Sequence, residues 1–160
     1  MNLIFTKADQ DKHLEIAAKL TRSTGWRDDA TSFAAYDERG DEQDLLAVVV
    51  FQNVDMTGAD IHFAGARPGW ASRRLLRGLF RFAFAPRLAG YNMLRAPIPE
   101  ANVDAMVLAL RSGFRFDGRL RAGAADGSDA ILMSMKRDEC RWILPVSNIT
   151  PMREFARAAE

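Results

Sequence analysis

The stretch that decides the fold runs from Ala59 to Pro86, ADIHFAGARPGWASRRLLRGLFRFAFAP. Residues Ala59 to Ala64 alternate, Ile61 and Phe63 against Asp60 and His62, which is the two-residue period of a half-buried strand. From Ala71 to Ala85 the period changes. Leu75, Leu76, Leu79, Phe82 and Ala83 fall on one side of a helix, and Arg73, Arg77 and Arg81, four apart, fall on another. Ser72 stands where an N-cap belongs, and Pro86 stops the helix. Phe80, Phe82 and Phe84 are expected in the core. A strand of Tyr91 to Ile98 follows, broken by Pro97 and Pro99. Strand, helix and strand at this spacing imply one parallel crossover.

Working outward, the rest of the chain supplies mainly antiparallel strands. Leu45 to Asn53 is a continuous apolar run, as in a central strand covered on both faces. Glu38 to Asp41 turns into it from a strand of Thr31 to Asp37, and Met56-Thr57-Gly58 turns out of it. Asn2 to Thr6 reads as a short first strand. Ala8 to Thr21 carries Leu14, Ala17, Ala18 and Leu20 at helical spacing, with Gly25 as its stop. Beyond Ile98, Asn102 caps a helix through Arg111, ended by Ser112-Gly113. Phe114 to Ala122 and Ala130 to Lys136 form a hairpin across Ala125-Asp126-Gly127-Ser128. The expected class is α/β of the mixed (α+β) kind: a mostly antiparallel sheet covered by helices on both faces. The layout is one domain over residues 1–145, with a tail over 146–160 holding a short helix.

Composition narrows the function. The chain has 160 residues, about one domain, and is 48% hydrophobic and 27% charged, which is ordinary globular usage. Lys plus Arg number 22 against 21 Asp plus Glu, so the basic excess of a nucleic-acid binder is missing. Within that balance Arg outnumbers Lys heavily. The longest apolar run, Leu45 to Phe51, is far short of the ~20 residues of a membrane span. The N-terminus has no signal-peptide pattern. A single cysteine excludes an internal disulfide framework, and one Cys with two His makes a structural zinc site untenable. The expectation is a cytoplasmic protein with no metal, no membrane and no nucleic-acid partner.

Two places in the sequence resemble a known family. The first is Arg67-Pro68-Gly69-Trp70-Ala71-Ser72 followed by Leu75-Leu76; the second is Asn102, then Gly113-Phe114, then Asp117-Gly118-Arg119. In this order and with these strands they resemble the GNAT family of acyl-CoA-dependent N-acyltransferases, over roughly Asn2 to Met135. The ending, Asp129 to Met135 followed by Arg137 to Trp142, resembles phage- and prophage-encoded GNAT-like proteins. The resemblance implies acetyl-CoA as cosubstrate and an amine of a protein or a small molecule as acceptor. It also implies direct attack without a covalent enzyme intermediate, and homodimers through late strands. Arg67, Gly69, Trp70, Ala71, Ser72 and Arg73 would hold the diphosphate at a helix N-terminus, where unpaired N–H groups and the dipole favour an anion. Arg74 shares that first turn. Asn102 would lie near the pantetheine arm.

The sequence departs from the family at telling positions. Trp70 stands where the loop has its first Gly, either filling the diphosphate's space or lying flat beside it. The family's leaving-group acids, a Tyr seven residues after the Asn or a Ser three after it, are here Ala109 and Ala105. Among titratable groups His62 is the candidate catalytic base, with an ordinary pKa near ~6.5; a hydrogen-bonded structural role is the alternative. His13 reads as exposed on the first helix, and Glu100 as a second candidate for amine binding. No pattern activates Cys140 as a nucleophile. The same residues also admit a GNAT-like scaffold that has dropped the reaction.

Overall fold

The computed structural model describes residues 2–143, so the expected tail over 146–160 lies outside the described residues. The elements in chain order are β1 (Asn2–Thr6), α1 (Gln10–Thr21), β2 (Thr31–Arg39), β3 (Glu42–Gln52), β4 (Ala59–Gly65), α2 (Arg73–Phe84), β5 (Met93–Pro99), α3 (Val103–Ser112), β6 (Arg115–Leu120) and β7 (Ala130–Lys136). They build a seven-stranded sheet in the order β1-β2-β3-β4-β5-β7-β6. All pairings are antiparallel except β4 with β5, the single parallel crossover expected from the 59–98 stretch.

The apolar run of β3 is covered on both faces, as its lack of alternation demanded. Leu46 through Phe51 are all buried. Val48 and Val50 join Ala34 and Ala64 beneath Ala17 of α1. Val49 and Phe51 join the larger core under α2, with Ile61, Leu79 and Phe80. Helix α3 adds Ala109 to that same core. A right-handed crossover puts α2 and α3 on one face, since β4, β5 and β6 advance across the sheet in one direction. Helix α1 is left to cover the other.

Helix α2 forms as its period predicts. Ser72 Oγ accepts the Leu75 N–H at 3.2 Å. Leu75, Leu76, Leu79, Phe80, Phe82, Ala83 and Phe84 are buried. Phe82 stacks on Phe33 with centroids 4.0 Å apart. Each fully buried Phe contributes about 1.5–3 kcal/mol. Arg73, Arg77 and Arg81 are exposed. Helix α1 stops earlier than Gly25 suggested: Arg22 adopts the left-handed conformation (φ 55°), and the next N–H, on Ser23, reaches Ala18 O at 3.0 Å.

Strand β5 runs through both prolines instead of breaking at them. It pairs with β7 over its whole length, Met93↔Lys136 to Pro99↔Ala130. Alternate residues direct their N–H to opposite edges, so the missing donors of Pro97 and Pro99 both fall on the edge toward β4. On that edge the pairing consists of Ala59↔Leu94 and Asp60↔Arg95 and then ends. The two halves of the sheet therefore part beyond Asp60, leaving a V that opens toward the C-terminal ends of β4 and β5.

Candidate functional site

The closed end of the V is pinned by one side chain. Arg95 of β5 donates to Asp60 Oδ1 at 2.7 Å, Asp55 Oδ2 at 2.8 Å, Thr57 Oγ1 at 3.0 Å and Asn53 O at 2.6 Å. The Asp55 carboxyl is held far below the usual carboxylate range, chiefly by the Thr57 hydroxyl and N–H and then by Arg95. Nothing in the alternation of β5 marked Arg95 for this; its partners come from the β3–β4 turn, about 40 residues away.

The open end carries the loops that the sequence singled out. After β4 the chain runs through Arg67, Pro68, Gly69 and Trp70 into the α2 N-terminus; after β5, through Glu100 and Ala101 to Asn102 at the α3 N-terminus. Residues 67–73 and 102, far apart in sequence, thus share one end of the sheet, because both follow parallel strands. Crevices beyond the carboxyl ends of parallel strands are where open α/β sheets bind ligands.

Each of these residues has a defined local role. Arg67 pairs with Asp44 at 3.2 Å. Gly69 takes φ 74°, with open space where a Cβ would stand; only Gly holds that conformation without strain. Ser72, besides capping Leu75, donates its own N–H to Trp70 O at 2.8 Å. Arg73 is exposed and opens the helix, where its N–H has no carbonyl one turn back. Asn102 Oδ1 accepts the Ala105 N–H at 3.2 Å, and Asn102 N–H donates to Pro99 O at 2.8 Å. Its exposed amide is fixed at the end of β5.

Trp70 lies flat. Its indole rests on Gly65, where a Cβ would collide with Nε1 and Cδ1, and its ring centroid is 5.8 Å from that of Phe63. Leu75 and Leu46 belong to the cluster beneath it. Gly65 is a residue the sequence reading missed: a Gly at the end of a strand pattern signals a close approach, but only the fold shows that the approaching group is Trp70.

His62 stands on β4 two residues beyond the last β4–β5 pair, on the face covered by α1. Gln52 Nε2 is 3.1 Å from His62 Nε2, and the Trp26 ring centroid is 5.3 Å away. Burial lowers the pKa of His62, with the Asp60 charge opposing. The ring is therefore neutral at neutral pH. Gln52 and Trp26 were not foreseen, because both reach His62 from other elements.

Four expectations change or sharpen. His13 is not exposed: it is 1% accessible, with Nδ1 2.8 Å from Ala8 O and Nε2 2.6 Å from Tyr36 OH. Its polar neighbours in sequence hid the fact that the ring bridges α1 to β2. Ala109 is buried in the core, so the position holds packing and no hydroxyl. Glu100 is bound by Arg119 at 2.8 Å, which also holds Asp129. Cys140 is fully buried, and burial pushes its thiol pKa up, as an inert cysteine requires.

This arrangement of strands has counterparts among solved structures. A chimera of the spermidine N-acetyltransferase SpeG from Vibrio cholerae with hSSAT superposes with a TM-score of 0.68 at 15% identity, over 86% of this chain and 98% of that one. Mutant forms of the spermidine/spermine N-acetyltransferase SpeG from Vibrio cholerae give a TM-score of 0.65 at 14% identity, over 86% and 96%. The chain has the GNAT fold. At these identities the likeness is one of GNAT architecture. No family model and no curated protein matches the chain. Among the described residues no helix is long and apolar enough to cross a membrane, and no group of three His, Cys, Asp or Glu is placed to hold a metal ion.

Proposed function

We propose that the chain is an N-acyltransferase that moves an acetyl group from acetyl-CoA to an amine. The observation that carries this is the V: β4 and β5 part after Asp60↔Arg95, with the α2 N-terminus and Asn102 together at its mouth. The residues present fit acetyl-CoA. Gly69 and the first turn of α2 offer backbone to a diphosphate, with Arg67 and Arg73 as flanking cations. Trp70 packs its indole against Gly65 on β4. The exposed amide of Asn102 and the unpaired inner edges of β4 and β5 suit the amides of the pantetheine arm.

Acetyl-CoA supplies an activated thioester, so the protein's task is to align an uncharged amine with it and exclude competing water. Asn102 and the strand edges orient the arm, and neutral His62 stands on the acceptor side. Ala105 and Ala109 offer the departing sulfur no hydroxyl at those two positions of α3. Proteins and small amines are both open as acceptors, and spermidine, named for the structural neighbours, is one amine to assay. Calorimetric titration with acetyl-CoA tests the reading: saturable binding is expected, and no heat at millimolar ligand overturns it.

A second reading keeps the fold without the reaction, as a GNAT-like scaffold of the phage type. Trp70 in the loop and the alanines on α3 favour it. Replacing Trp70 by Gly separates the two: a scaffold whose loop is obstructed gains CoA affinity, and a working enzyme loses or keeps it.

A further inference from the structure

The hydrogen bonds around His62 decide where its proton sits. The Arg27 N–H donates to Gln52 Oε1 at 2.8 Å, which identifies that atom as the amide oxygen. The other end of the amide is then an NH2 group, and it lies 3.1 Å from His62 Nε2. An amide NH2 only donates, so Nε2 accepts and the neutral ring carries its proton on Nδ1. Trp26 fixes the ring plane and is itself tied down by donating Nε1–H to Leu14 O at 2.9 Å.

Nδ1 is in a different situation. The buried side-chain N and O atoms without a partner among the described residues are Ser32 Oγ and Ser112 Oγ. His62 Nδ1 is not one of them, and no bond joins it to another described residue. The same register that pairs Asp60 with Arg95 would set His62 against Pro97, but no pair forms there. His62 therefore stands on β4 where the two strands have parted. His13 is the internal contrast, with both nitrogens closed by Ala8 O and Tyr36 OH.

We infer that Gln52 is a positioning residue that holds His62 as a neutral hydrogen-bond donor, its Nδ1–H presented at the opening between β4 and β5 to a carbonyl oxygen of the bound substrates. The identity of that oxygen rests on the acyltransferase reading; the tautomer does not. In this arrangement the lone pair that a general base would use is occupied by Gln52. His62 instead polarises an oxygen on which negative charge develops. The charged residues on the elements packed around the ring are Asp60 on β4, Arg95 on β5 bound to it, and Arg27, Asp28 and Asp29 on the segment that carries Trp26. Helix α1 offers this side Leu14 and Ala17.

Side-chain nitrogen–proton correlation NMR on the full chain tests this. The sequence holds two histidines, and His62 is assigned by its loss in His62→Asn. At pH 7.5 the expected state is a protonated Nδ1 and a bare Nε2. An Nε2–H tautomer, or an imidazolium at that pH, overturns the inference on the unmodified protein alone. In Gln52→Glu the carboxylate accepts from Nε2, so the tautomer is expected to flip and the His62 pKa to rise by about 1–3 units. A pKa and tautomer identical to the original would also overturn it. Added acetyl-CoA, with binding verified by calorimetry, is expected to move the Nδ1 proton downfield, and binding that leaves this proton unmoved refutes the donor role. Absence of binding counts against the acyltransferase reading, while the tautomer is still read on the free protein.

Discussion

The two edges of β4 are held in opposite ways. Toward β3 it makes six residue pairs, Ala47↔Gly65 through Gln52↔Asp60. Toward β5 it makes two, both at its beginning. The strand is the same, so the difference comes from its neighbours. Strand β3 offers an N–H at every position and large apolar side chains, whereas β5 offers Pro97 and Pro99 on the facing edge. One seam is closed by a continuous ladder over a dry core. The other is closed by Arg95 at a single point, and beyond it the strand edges are free for a ligand.

The largest effect is expected from breaking the tight seam. Phe51→Ala removes a fully buried ring beside Ile61 and Phe82. It should cost about 3–5 kcal/mol in urea unfolding. A loss below 1 kcal/mol would show that the core under α2 can collapse around the gap.

Next is the pin of the open seam. Arg95→Leu leaves Asp60 and Asp55 without their cation and should cost about 1.5–3 kcal/mol, the range for hydrogen bonds to charged groups. The sign of its pH dependence follows from Asp55, whose pKa is depressed in the folded state. Such a group contributes stability above its unfolded pKa, near 3.8, which is lost as pH falls toward its folded one. The unmodified protein should therefore lose stability on acidification below about pH 4, and Arg95→Leu should show a shallower loss. Parallel curves would mean that Arg95 does not hold Asp55 ionised.

Gly65→Ala tests the floor of the loop. The new methyl meets the Trp70 indole, and overpacking of this kind costs about 1–3 kcal/mol. In a Trp70→Ala background the same substitution should be nearly neutral. Additive losses in that double-mutant cycle would place the indole elsewhere.

The smallest effect on stability, and the most local, belongs to the prolines. Replacing Pro97 and Pro99 together by Val restores two donors on the β5 edge facing β4. Hydrogen exchange at residues 61–65 is expected to slow as the ladder extends. Unchanged exchange there would mean that something other than the missing donors parts the strands.

Much of this molecule was legible along the chain. The period change between Ala64 and Ala71 located the crossover, and Ser72 and Asn102 both cap their helices through side-chain oxygens, as their positions implied. The flat burial of residues 46–51 followed from an apolar run without alternation. The candidate site was legible in its loops and obscure elsewhere. Gln52, Trp26, Gly65 and Arg95 carry no motif, and each matters through a residue on a different element. His13 was misread for the same reason: its partner Tyr36 is 23 positions away.

By itself the sequence determined the elements and their order, because periodicity and N-caps act over a few residues. It also determined which cations and glycines lie at the end of β4. Only the tertiary structure decided that β4 and β5 part beyond Asp60, that Trp70 lies on Gly65, and which nitrogen of His62 keeps the proton. Those outcomes depend on hydrogen bonds and close packing between residues brought together by the sheet, where one partner's position sets what the other can do.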